Sequence, residues 1–212
     1  MKRTRILLAD DHKIVLDGLS SLLEPEFEIV GMVEDGRALV SLVQKLRPDV
    51  IVVDISMPLL NGIEAVRKIK KLDPHVKVVF LTMHPDVTYA IRAFEAGAAG
   101  FVLKHSASSE LLTAIREAIN GRTYVTPMIA TELMQSYMDG VHRQPDITQQ
   151  LTTRQREILQ LLAEGCSVKE IARVMNISAR TVEFHKYRLT SKLNLKTNSE
   201  LIQFAIKHGI IT

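Results

Sequence analysis

The stretch Val50-Ile-Val-Val-Asp54 is a short apolar run, rich in β-branched residues, that ends in an acid. It is too short for a helix, so it predicts a strand. Similar runs lie at residues 6–9, 28–33, 77–82 and 100–103, with helix-like segments between them. Five strands that alternate with five helices predict an α/β fold, a doubly wound parallel five-stranded sheet, over residues 1–121.

Capping residues and glycine mark the helix boundaries within this part of the chain. Asn61 and Glu64 predict a helix start, and Pro85 stands where the first position of the next helix is expected. Gly97 predicts the end of that helix, and Ser106 opens a further helical segment. Each helix is therefore expected to begin shortly after a strand ends.

The composition excludes several classes of protein. The 212 residues, 46% of them hydrophobic and 24% charged, suffice for one large or two small globular domains. The single cysteine, Cys166, excludes an intrachain disulfide and a cysteine-rich zinc cluster, and it fits a cytoplasmic location. No apolar run approaches the roughly 18 residues that a membrane span needs, so no membrane partner is expected.

The net charge of +3 is unevenly distributed along the chain. Residues 1–121 and 122–148 each carry a net charge of −1, whereas residues 149–212 carry +5. This split predicts a near-neutral domain joined to a small basic one. Basic modules commonly bind phosphate backbones, so nucleic acid is the first partner to consider.

Residues 122–148 are predicted to be a linker with a short helix. Thr126 and Pro127 are typical of a helix start, while residues 139–146 are polar and contain glycine and proline. Residues 149–212 have no strand pattern and are predicted to form a small all-α domain. Its four helices are expected at residues 153–164, 168–175, 179–193 and 198–208.

Local signals support these four helices. Three capping boxes mark helix starts: Thr152 with Gln155, Ser167 with Glu170, and Thr197 with Glu200. Ser178 is a further candidate N-cap, and Gly165, Asn176 and Gly209 are candidate helix ends. The turn between the second and third helices is very short, which is typical of a helix-turn-helix.

Polar residues stand at the ends of the predicted strands. Asp10 and Asp11 end the first strand, Asp54 the third and Thr82 the fourth, and Lys104 follows the fifth. In a parallel sheet these ends open on one edge, so the side chains should converge. Carboxylates this close need a counter-charge, which Mg²⁺ or a lysine supplies. Taken singly, each residue also has a simpler interpretation, such as a helix cap or a strand-end turn.

The strand ends carry four motifs: Ala9-Asp-Asp-His12, Asp54-Ile-Ser-Met-Pro-Leu-Leu-Asn-Gly62, Leu81-Thr-Met83 and Phe101-Val-Leu-Lys104. Together they resemble the receiver domain of two-component response regulators, which is flavodoxin-like, over about residues 3–121. The resemblance implies that Asp54 is the phosphoacceptor. It implies that Asp10 and Asp11 hold Mg²⁺ together with Asp54 and the backbone carbonyl of Ser56.

The same resemblance implies roles for three further residues. Lys104 pairs with the phosphoryl oxygens, Thr82 hydrogen-bonds one of them, and Phe101 is the switch aromatic. Movement of Thr82 toward the phosphoryl group would let Phe101 turn inward, which makes a two-state switch. Ser56 and His84 occupy positions that tune dephosphorylation in the family, although for His84 a role at the following helix start is the preferred interpretation.

The C-terminal part carries motifs of its own: Leu151-Thr-Thr-Arg-Gln-Arg-Glu-Ile-Leu159, Lys169-Glu-Ile-Ala172 and Ile177-Ser-Ala-Arg-Thr-Val-Glu-Phe-His185. They resemble the LuxR-type helix-turn-helix, a DNA-binding domain, over residues 149–212. A receiver domain followed by this module resembles the NarL/FixJ group of transcription regulators.

The predicted helix that starts at Ala179 has an apolar face, with Val182 and Leu189, and a polar face. The candidate DNA contacts of this domain are Lys169, Arg180, Thr181, Glu183, Phe184, Lys186, Tyr187, Arg188 and Lys192. At the base edges, Glu183 is expected to accept from cytosine, Lys186 to donate to guanine, and an aromatic ring to contact a thymine methyl group. The alternative is a solvated polar face of an interaction domain.

Three other functions are weighed against this one. A Mg²⁺ phosphohydrolase is expected to carry a second acid two residues after Asp54, where Ser56 stands. A regulator that works without phosphorylation is expected to lack an acid or the lysine of the pocket. An RNA-binding module is expected to offer stacking aromatics, but aromatic residues make up only 5% of the chain.

We therefore predict a cytoplasmic, DNA-binding transcriptional response regulator with Mg²⁺ as cofactor. A sensor histidine kinase would phosphorylate Asp54, which would shift the receiver conformation and control homodimerisation and binding to double-stranded promoter DNA. RNA polymerase is a further partner under this prediction. The chain would not be an enzyme, apart from assisting its own phosphoryl transfer and dephosphorylation.

Overall fold

The computed structural model describes residues 3–138 and 147–211. Apart from residues 59–61, these ranges form two compact units. The elements of the first unit follow the chain as β1 (Arg5–Ala9), α1 (Lys13–Leu23), β2 (Glu28–Val33), α2 (Gly36–Leu46), β3 (Val50–Val53), α3 (Gly62–Leu72), β4 (Lys77–Thr82), α4 (Val87–Glu95), β5 (Gly100–Leu103), α5 (Ala107–Ile119), β6 (Tyr124–Val125) and α6 (Pro127–Met138).

The first unit is built on one sheet with the strand order β2-β1-β3-β4-β5-β6, and every neighbouring pair is parallel. All residues of β3 and β5 are buried, as expected of apolar runs without polar alternation. Leu16 and Leu23 of α1 and Leu111 and Ile115 of α5 pack in one hydrophobic cluster with the central strands. The predicted flavodoxin-like, doubly wound fold is confirmed.

The sheet differs from the prediction by one short strand. β6 comprises only Tyr124 and Val125, which pair with Gly100 and Phe101 of β5. These residues lie in the segment that was predicted to be a linker. A two-residue strand is too short to show periodicity, so the sequence pattern could not indicate it. The helix predicted after Thr126 is present as α6, with Pro127 as its first residue.

The start of α4 is also shifted from its predicted position. The helix begins at Val87, and Asp86 is its N-cap, because the Asp86 carboxylate accepts a hydrogen bond from the Thr88 amide at 2.7 Å. Pro85 therefore precedes the cap and is not the first helical residue. Aspartate is a strong N-cap, and here it decides where the helix begins.

The second unit is all-helical, as predicted. A 3₁₀ turn (Ile147–Gln150) leads into α7 (Thr153–Ala163), α8 (Val168–Met175), α9 (Ala179–Leu193) and α10 (Asn198–Lys207). All three predicted capping boxes are formed, and Ser178 caps α9 by accepting from the Thr181 amide at 3.0 Å. Asn176 ends α8 with a φ of 51°. These local hydrogen bonds fix the short turn between α8 and α9.

Two hydrophobic clusters hold the second unit together, and α9 contributes to both. Val182 packs with Ile158 and Ile171 in one cluster, and Leu189 packs with Leu159 and Leu201 in the other. Each of these side chains is buried. The apolar face of α9 is therefore in the core, which leaves its opposite face to solvent.

One of the predicted segments falls outside the described residues. The polar linker predicted at residues 139–146 lies outside them. Within residues 3–138 and 147–211, no helix has the length and apolar character needed to cross a membrane.

Candidate phosphoacceptor site and DNA-binding helix

The sheet register brings the strand-end acids together. Ala9 of β1 pairs with Val53 of β3, so Asp10 and Asp54, the residues that follow, leave the sheet side by side. The Asp54 amide donates to the Ala9 carbonyl at 2.8 Å, which extends this pairing by one residue. Both acids are almost fully buried, at 1% and 4% exposure. Buried carboxylates must be paired, so the site has to supply a positive charge.

Lys104 supplies that charge. It follows β5 directly, and its Nζ lies 2.6 Å from Oδ2 of Asp10 and 2.6 Å from Oδ2 of Asp54. The other oxygen of Asp54, Oδ1, accepts from the Ile55 amide at 2.6 Å. One ammonium group thus holds two carboxylates that come from neighbouring strands, and both oxygens of Asp54 are fixed in place.

Burial and charge act in opposite directions on these groups. Burial raises the pKa of the Asp54 carboxyl above its ordinary value, although the hydrogen bond from Lys104 acts to lower it. Burial alone would lower the pKa of Lys104, but its hydrogen bonds to Asp10 and Asp54 outweigh that effect and leave the pKa raised. Lys104 therefore stays charged at neutral pH. One positive charge facing two buried acids leaves the site able to accept a further cation.

Asp11 lies beside this pair and is not a helix cap. The N-cap of α1 is His12, whose side chain makes no capping hydrogen bond. The His12 ring lies against the acids instead, with Nδ1 2.8 Å from Oδ1 of Asp11 and 3.4 Å from Oδ1 of Asp10. The ligand atoms of Asp10, Asp11 and His12 all lie within 4.8 Å of one another. This contact of His12 is not indicated by any pattern in the sequence.

Thr82 and the residues after it form the next part of the site. Thr82 is fully buried, and its Oγ1 accepts from the His84 amide at 3.2 Å. The His84 ring stacks on Tyr89, and its Nε2 lies 2.8 Å from Oγ of Ser56. Burial lowers the pKa of His84, so its ring is neutral at neutral pH. Ser56 and His84 each stand two residues beyond a strand-end site residue on neighbouring strands.

Phe101 is fully buried within β5, where it pairs with Phe80 of β4 in the sheet register. Its ring is therefore already inside the unit in this structure. The role of Phe101 as a switch stays a prediction.

In the second unit, α9 presents most of its predicted DNA contacts to solvent. Phe184 is 54% exposed and Tyr187 is 73% exposed, which is far more than folded proteins usually leave of such side chains. Arg180, Glu183 and Arg188 are exposed on the same side of the helix. The guanidinium carbon of Arg188 lies 5.4 Å from the centre of the Phe184 ring.

Other predicted contacts have different surroundings. Lys186 is half-buried and lies toward the apolar face of α9, and Thr181 is half-buried with its hydroxyl 2.8 Å from that of Ser178. Lys169 is exposed on α8. Lys192 donates from Nζ to the Gln150 carbonyl at 2.5 Å, so its ammonium is held near the start of the unit. A shallow cleft beside α9 is lined by Thr152, Gln155, His185, Tyr187, Arg188, Ser191 and Lys192.

Comparisons with known proteins agree with both units. The family described as "Response regulator receiver domain" matches residues 6–116, and the family described as "Bacterial regulatory proteins, luxR family" matches residues 149–205. The Oxygen regulatory protein NreC of Staphylococcus epidermidis is 37% identical over 98% of this chain and 99% of its own length.

Solved structures resemble the whole chain as well. The RcsB response regulator of Salmonella typhimurium is 28% identical, with a TM-score of 0.66 over 98% of this chain and 99% of that chain. A structure of an RcsB–DNA complex is 28% identical, with a TM-score of 0.59 over 96% of this chain and 98% of that chain.

The chain is thus a two-component response regulator in which a receiver domain precedes a helix-turn-helix module. It belongs to the response regulators with a LuxR-family module, the NarL/FixJ group. The class predicted from the sequence, a DNA-binding transcriptional response regulator, is confirmed by these matches.

Proposed function

We propose that the chain accepts a phosphoryl group on Asp54 from the phosphohistidine of a sensor histidine kinase, and that this changes how α9 binds promoter DNA. One observation carries the proposal: the Lys104 ammonium lies 2.6 Å from both Asp10 and Asp54. That arrangement places a buried carboxylate next to a group that can neutralise phosphoryl oxygens. Positioning and charge neutralisation are what phosphoryl transfer requires of a protein.

The transfer step follows from the positions of these side chains. A carboxylate oxygen of Asp54 forms a bond to phosphorus while the bond from phosphorus to the histidine nitrogen breaks, and that nitrogen leaves with the electron pair. Lys104 can turn from Asp54 to the transferred group without leaving Asp10. In dephosphorylation, water attacks phosphorus and the bond from phosphorus to the Asp54 oxygen breaks, which restores the carboxylate and releases phosphate. The same residues would assist this step.

The acids fit a divalent cation. Asp10, Asp11 and Asp54 are three carboxylates, and Lys104 offsets only part of their charge. Mg²⁺ prefers such oxygen ligands, and Asp10, Asp11, Asp54 and the backbone carbonyl of Ser56 would hold it. When bound, the ion would neutralise charge that develops on the phosphoryl oxygens.

Phosphorylation would be transmitted through Thr82. The product adds about −1.5 to −2 charges at the end of β3. The Thr82 hydroxyl now accepts from the His84 amide, and it would be drawn to donate to the new oxygens instead. This movement would disturb the packing around the buried ring of Phe101 and alter the surface of the receiver, which we propose favours homodimers.

The second unit would bind double-stranded promoter DNA through α9. Support comes from its +5 charge, the exposed face of α9, and the likeness to RcsB, which has been solved as a complex with DNA. Two-fold dimers match half-sites about one helical turn apart. We propose a cytoplasmic location, where promoters and RNA polymerase are found.

The first experiment tests the phosphoacceptor. The full-length protein, incubated with acetyl phosphate and Mg²⁺, should gain one phosphoryl group by intact-protein mass spectrometry, and Asp54→Asn should gain none. Asp17→Asn, which alters an exposed acid of α1, is the matched control and should be labelled like the wild type. Labelling of Asp54→Asn to the wild-type level would refute the assignment.

A second experiment tests the consequence for DNA. Genomic footprinting of cells that carry the wild type, Asp54→Asn or Asp54→Glu would identify the target promoters. Occupancy should fall in Asp54→Asn if phosphorylation drives binding. Equal occupancy of every target in all three strains would show that DNA binding is independent of Asp54.

A further inference from the structure

The exposed face of α9 combines an acid, two aromatic rings and two arginines. These residues follow the spacing i, i+3, i+4, i+7 and i+8, so they lie on one side of the helix: Arg180, Glu183, Phe184, Tyr187 and Arg188. Val182 and Leu189, on the opposite side, are fully buried and fix the orientation of the helix. We call this exposed set the reading face.

Glu183 is the residue of the reading face whose presence is not explained by electrostatic attraction to the phosphates of DNA. Its side chain is exposed, and among the described residues the structure gives its carboxylate no ion pair and no hydrogen bond. An acid next to phosphates weakens binding to every DNA sequence equally. Its favourable role within a major groove is to accept a hydrogen bond from the N4 amine of cytosine.

Phe184 and Tyr187 also need an explanation, because their rings expose a large apolar area to water. The apolar group that the major groove offers is the 5-methyl group of thymine. Phe184 is already positioned by Arg188, whose guanidinium lies over its ring. Tyr187 stands one turn further along the same face, within reach of a neighbouring base step.

We propose that the reading face selects a half-site in which Glu183 accepts from a cytosine amine while Phe184 and Tyr187 contact the methyl groups of adjacent thymines. The proposal rests on the proposed function, DNA binding through α9, and adds which bases are selected. Arg180 and Arg188, which flank the three readers, would contact phosphates and set the register.

The test begins with a selection. Full-length wild type, Glu183→Gln and Glu132→Gln, each phosphorylated with acetyl phosphate and Mg²⁺, are used to enrich binding sites from a pool of randomised duplex DNA. Glu132 is an exposed acid of α6, so its variant loses the same charge away from the reading face. The wild type and Glu132→Gln should enrich sites with one cytosine position in common. Glu183→Gln should exchange that cytosine for adenine, because glutamine pairs with adenine.

Affinities for the selected duplex then test each contact. Replacing the cytosine pair should weaken the wild type by about 5- to 150-fold, the range for one base-specific contact, and should leave Glu183→Gln unweakened. Replacing thymine by deoxyuridine removes one methyl group and should cost about 4-fold, and the loss should vanish in Phe184→Ala or Tyr187→Ala.

The outcomes separate this inference from the proposed function. If the wild type enriches no duplex, DNA binding itself fails, and the inference fails with it. If a site is enriched but Glu183→Gln enriches the same bases, DNA binding stands and the cytosine contact is overturned. If duplexes with thymine and with deoxyuridine bind equally, the methyl contacts are overturned.

Discussion

The glycine at position 62 is required by a contact with a residue that is not its neighbour in the sequence. A Cβ atom added there would lie 2.0 Å from the carbonyl oxygen of Asp54. Only a residue without a side chain fits, so α3 can pack its first turn against the backbone of Asp54. The capping pair Asn61 and Glu64 predicts the helix start from local sequence. This capping pair gives no information about the close contact between Gly62 and the backbone of Asp54.

We predict that Gly62→Ala destabilises the first unit by about 1–3 kcal/mol, the usual cost of inserting an atom into a packed site, or by more. The added methyl group must push α3 away from Asp54, so phosphorylation by acetyl phosphate should also slow. Scanning calorimetry of the full-length protein gives the stability, and mass spectrometry gives the rate of labelling.

Gly18→Ala is the matched control for that substitution. Gly18 lies on the exposed side of α1, and a Cβ there would have no neighbour within 4 Å. Alanine should raise stability there by about 0.5–1 kcal/mol, because glycine is unfavourable inside a helix. A Gly62→Ala protein that melts no lower than the wild type would contradict the close packing.

The convergence of Asp10, Asp54 and Lys104 could be predicted from the sequence, whereas two other contacts of the site could not. The first set follows from strand ends, since a parallel sheet aligns them on one edge. The contacts of His12 with Asp11 and of His84 with Ser56 depend on side-chain rotamers in loops. Several rotamers are open to each residue, and the sequence does not choose among them.

At the scale of elements, β6 is held to the rest of the sheet by the buried side chain of Thr126. Its Oγ1 accepts from the Leu103 amide at 3.2 Å and donates to the Glu110 carboxylate at 2.6 Å. One hydroxyl thus joins β5, α5 and the start of α6. Sequence analysis assigned Thr126 a capping role only, because its partners are far away in the chain.

We predict that Thr126→Val lowers the stability of the first unit by about 1–3 kcal/mol, since it leaves a buried amide and a carboxylate without their shared partner. Valine keeps the shape of the side chain, so the loss reports the hydrogen bonds. Thr131→Val, on the exposed side of α6, should change stability by no more than about 0.5 kcal/mol. If the two variants have the same melting temperature, the two hydrogen bonds of Thr126 do not contribute to stability.

A prediction on stability also follows for the second unit, at Asn176. It ends α8 in the left-handed region, with a φ of 51°. Asn176→Ala should cost up to about 1–2 kcal/mol, because asparagine adopts the left-handed backbone conformation more readily than alanine does. Asn176→Gly should match the wild type or exceed it slightly. Urea unfolding followed by circular dichroism measures both variants, and an alanine variant as stable as the glycine variant would contradict the prediction.

The four helices of the second unit were predicted to within a residue because their signals are local. A capping box needs only neighbouring residues, such as Thr152 and Gln155, and Asn176 needs only its own backbone conformation. The position of Lys186 illustrates what local signals leave out. Lys186 is predicted to donate to guanine, and the helical phase set by Val182 and Leu189 leaves it half-buried near the apolar side of α9.

At the scale of the whole molecule, the total charge of +3 is distributed unevenly between the two parts of the chain. Residues 1–121 carry a net charge of −1, and residues 149–212 carry +5. We predict that the logarithm of the DNA-binding constant falls linearly with the logarithm of the salt concentration, since each phosphate contact releases bound cations.

Lys192→Ala should reduce the steepness of that salt dependence by about one, and should weaken specific and random DNA alike. Lys45→Ala removes the same charge from the exposed end of α2 and should leave the slope unchanged. Fluorescence anisotropy over a series of salt concentrations measures both. A slope in Lys192→Ala equal to that of Lys45→Ala would exclude Lys192 as a phosphate contact.

The two hydrophobic clusters of the second unit have a kinetic consequence. Val182 anchors α9 in one cluster and Leu189 anchors it in the other, so the helix is fixed at two points two turns apart. A helix held at two points loses little further freedom when it enters a groove. The association rates for specific and random DNA sequences should therefore be similar. The two kinds of sequence should differ in the dissociation rate of the protein.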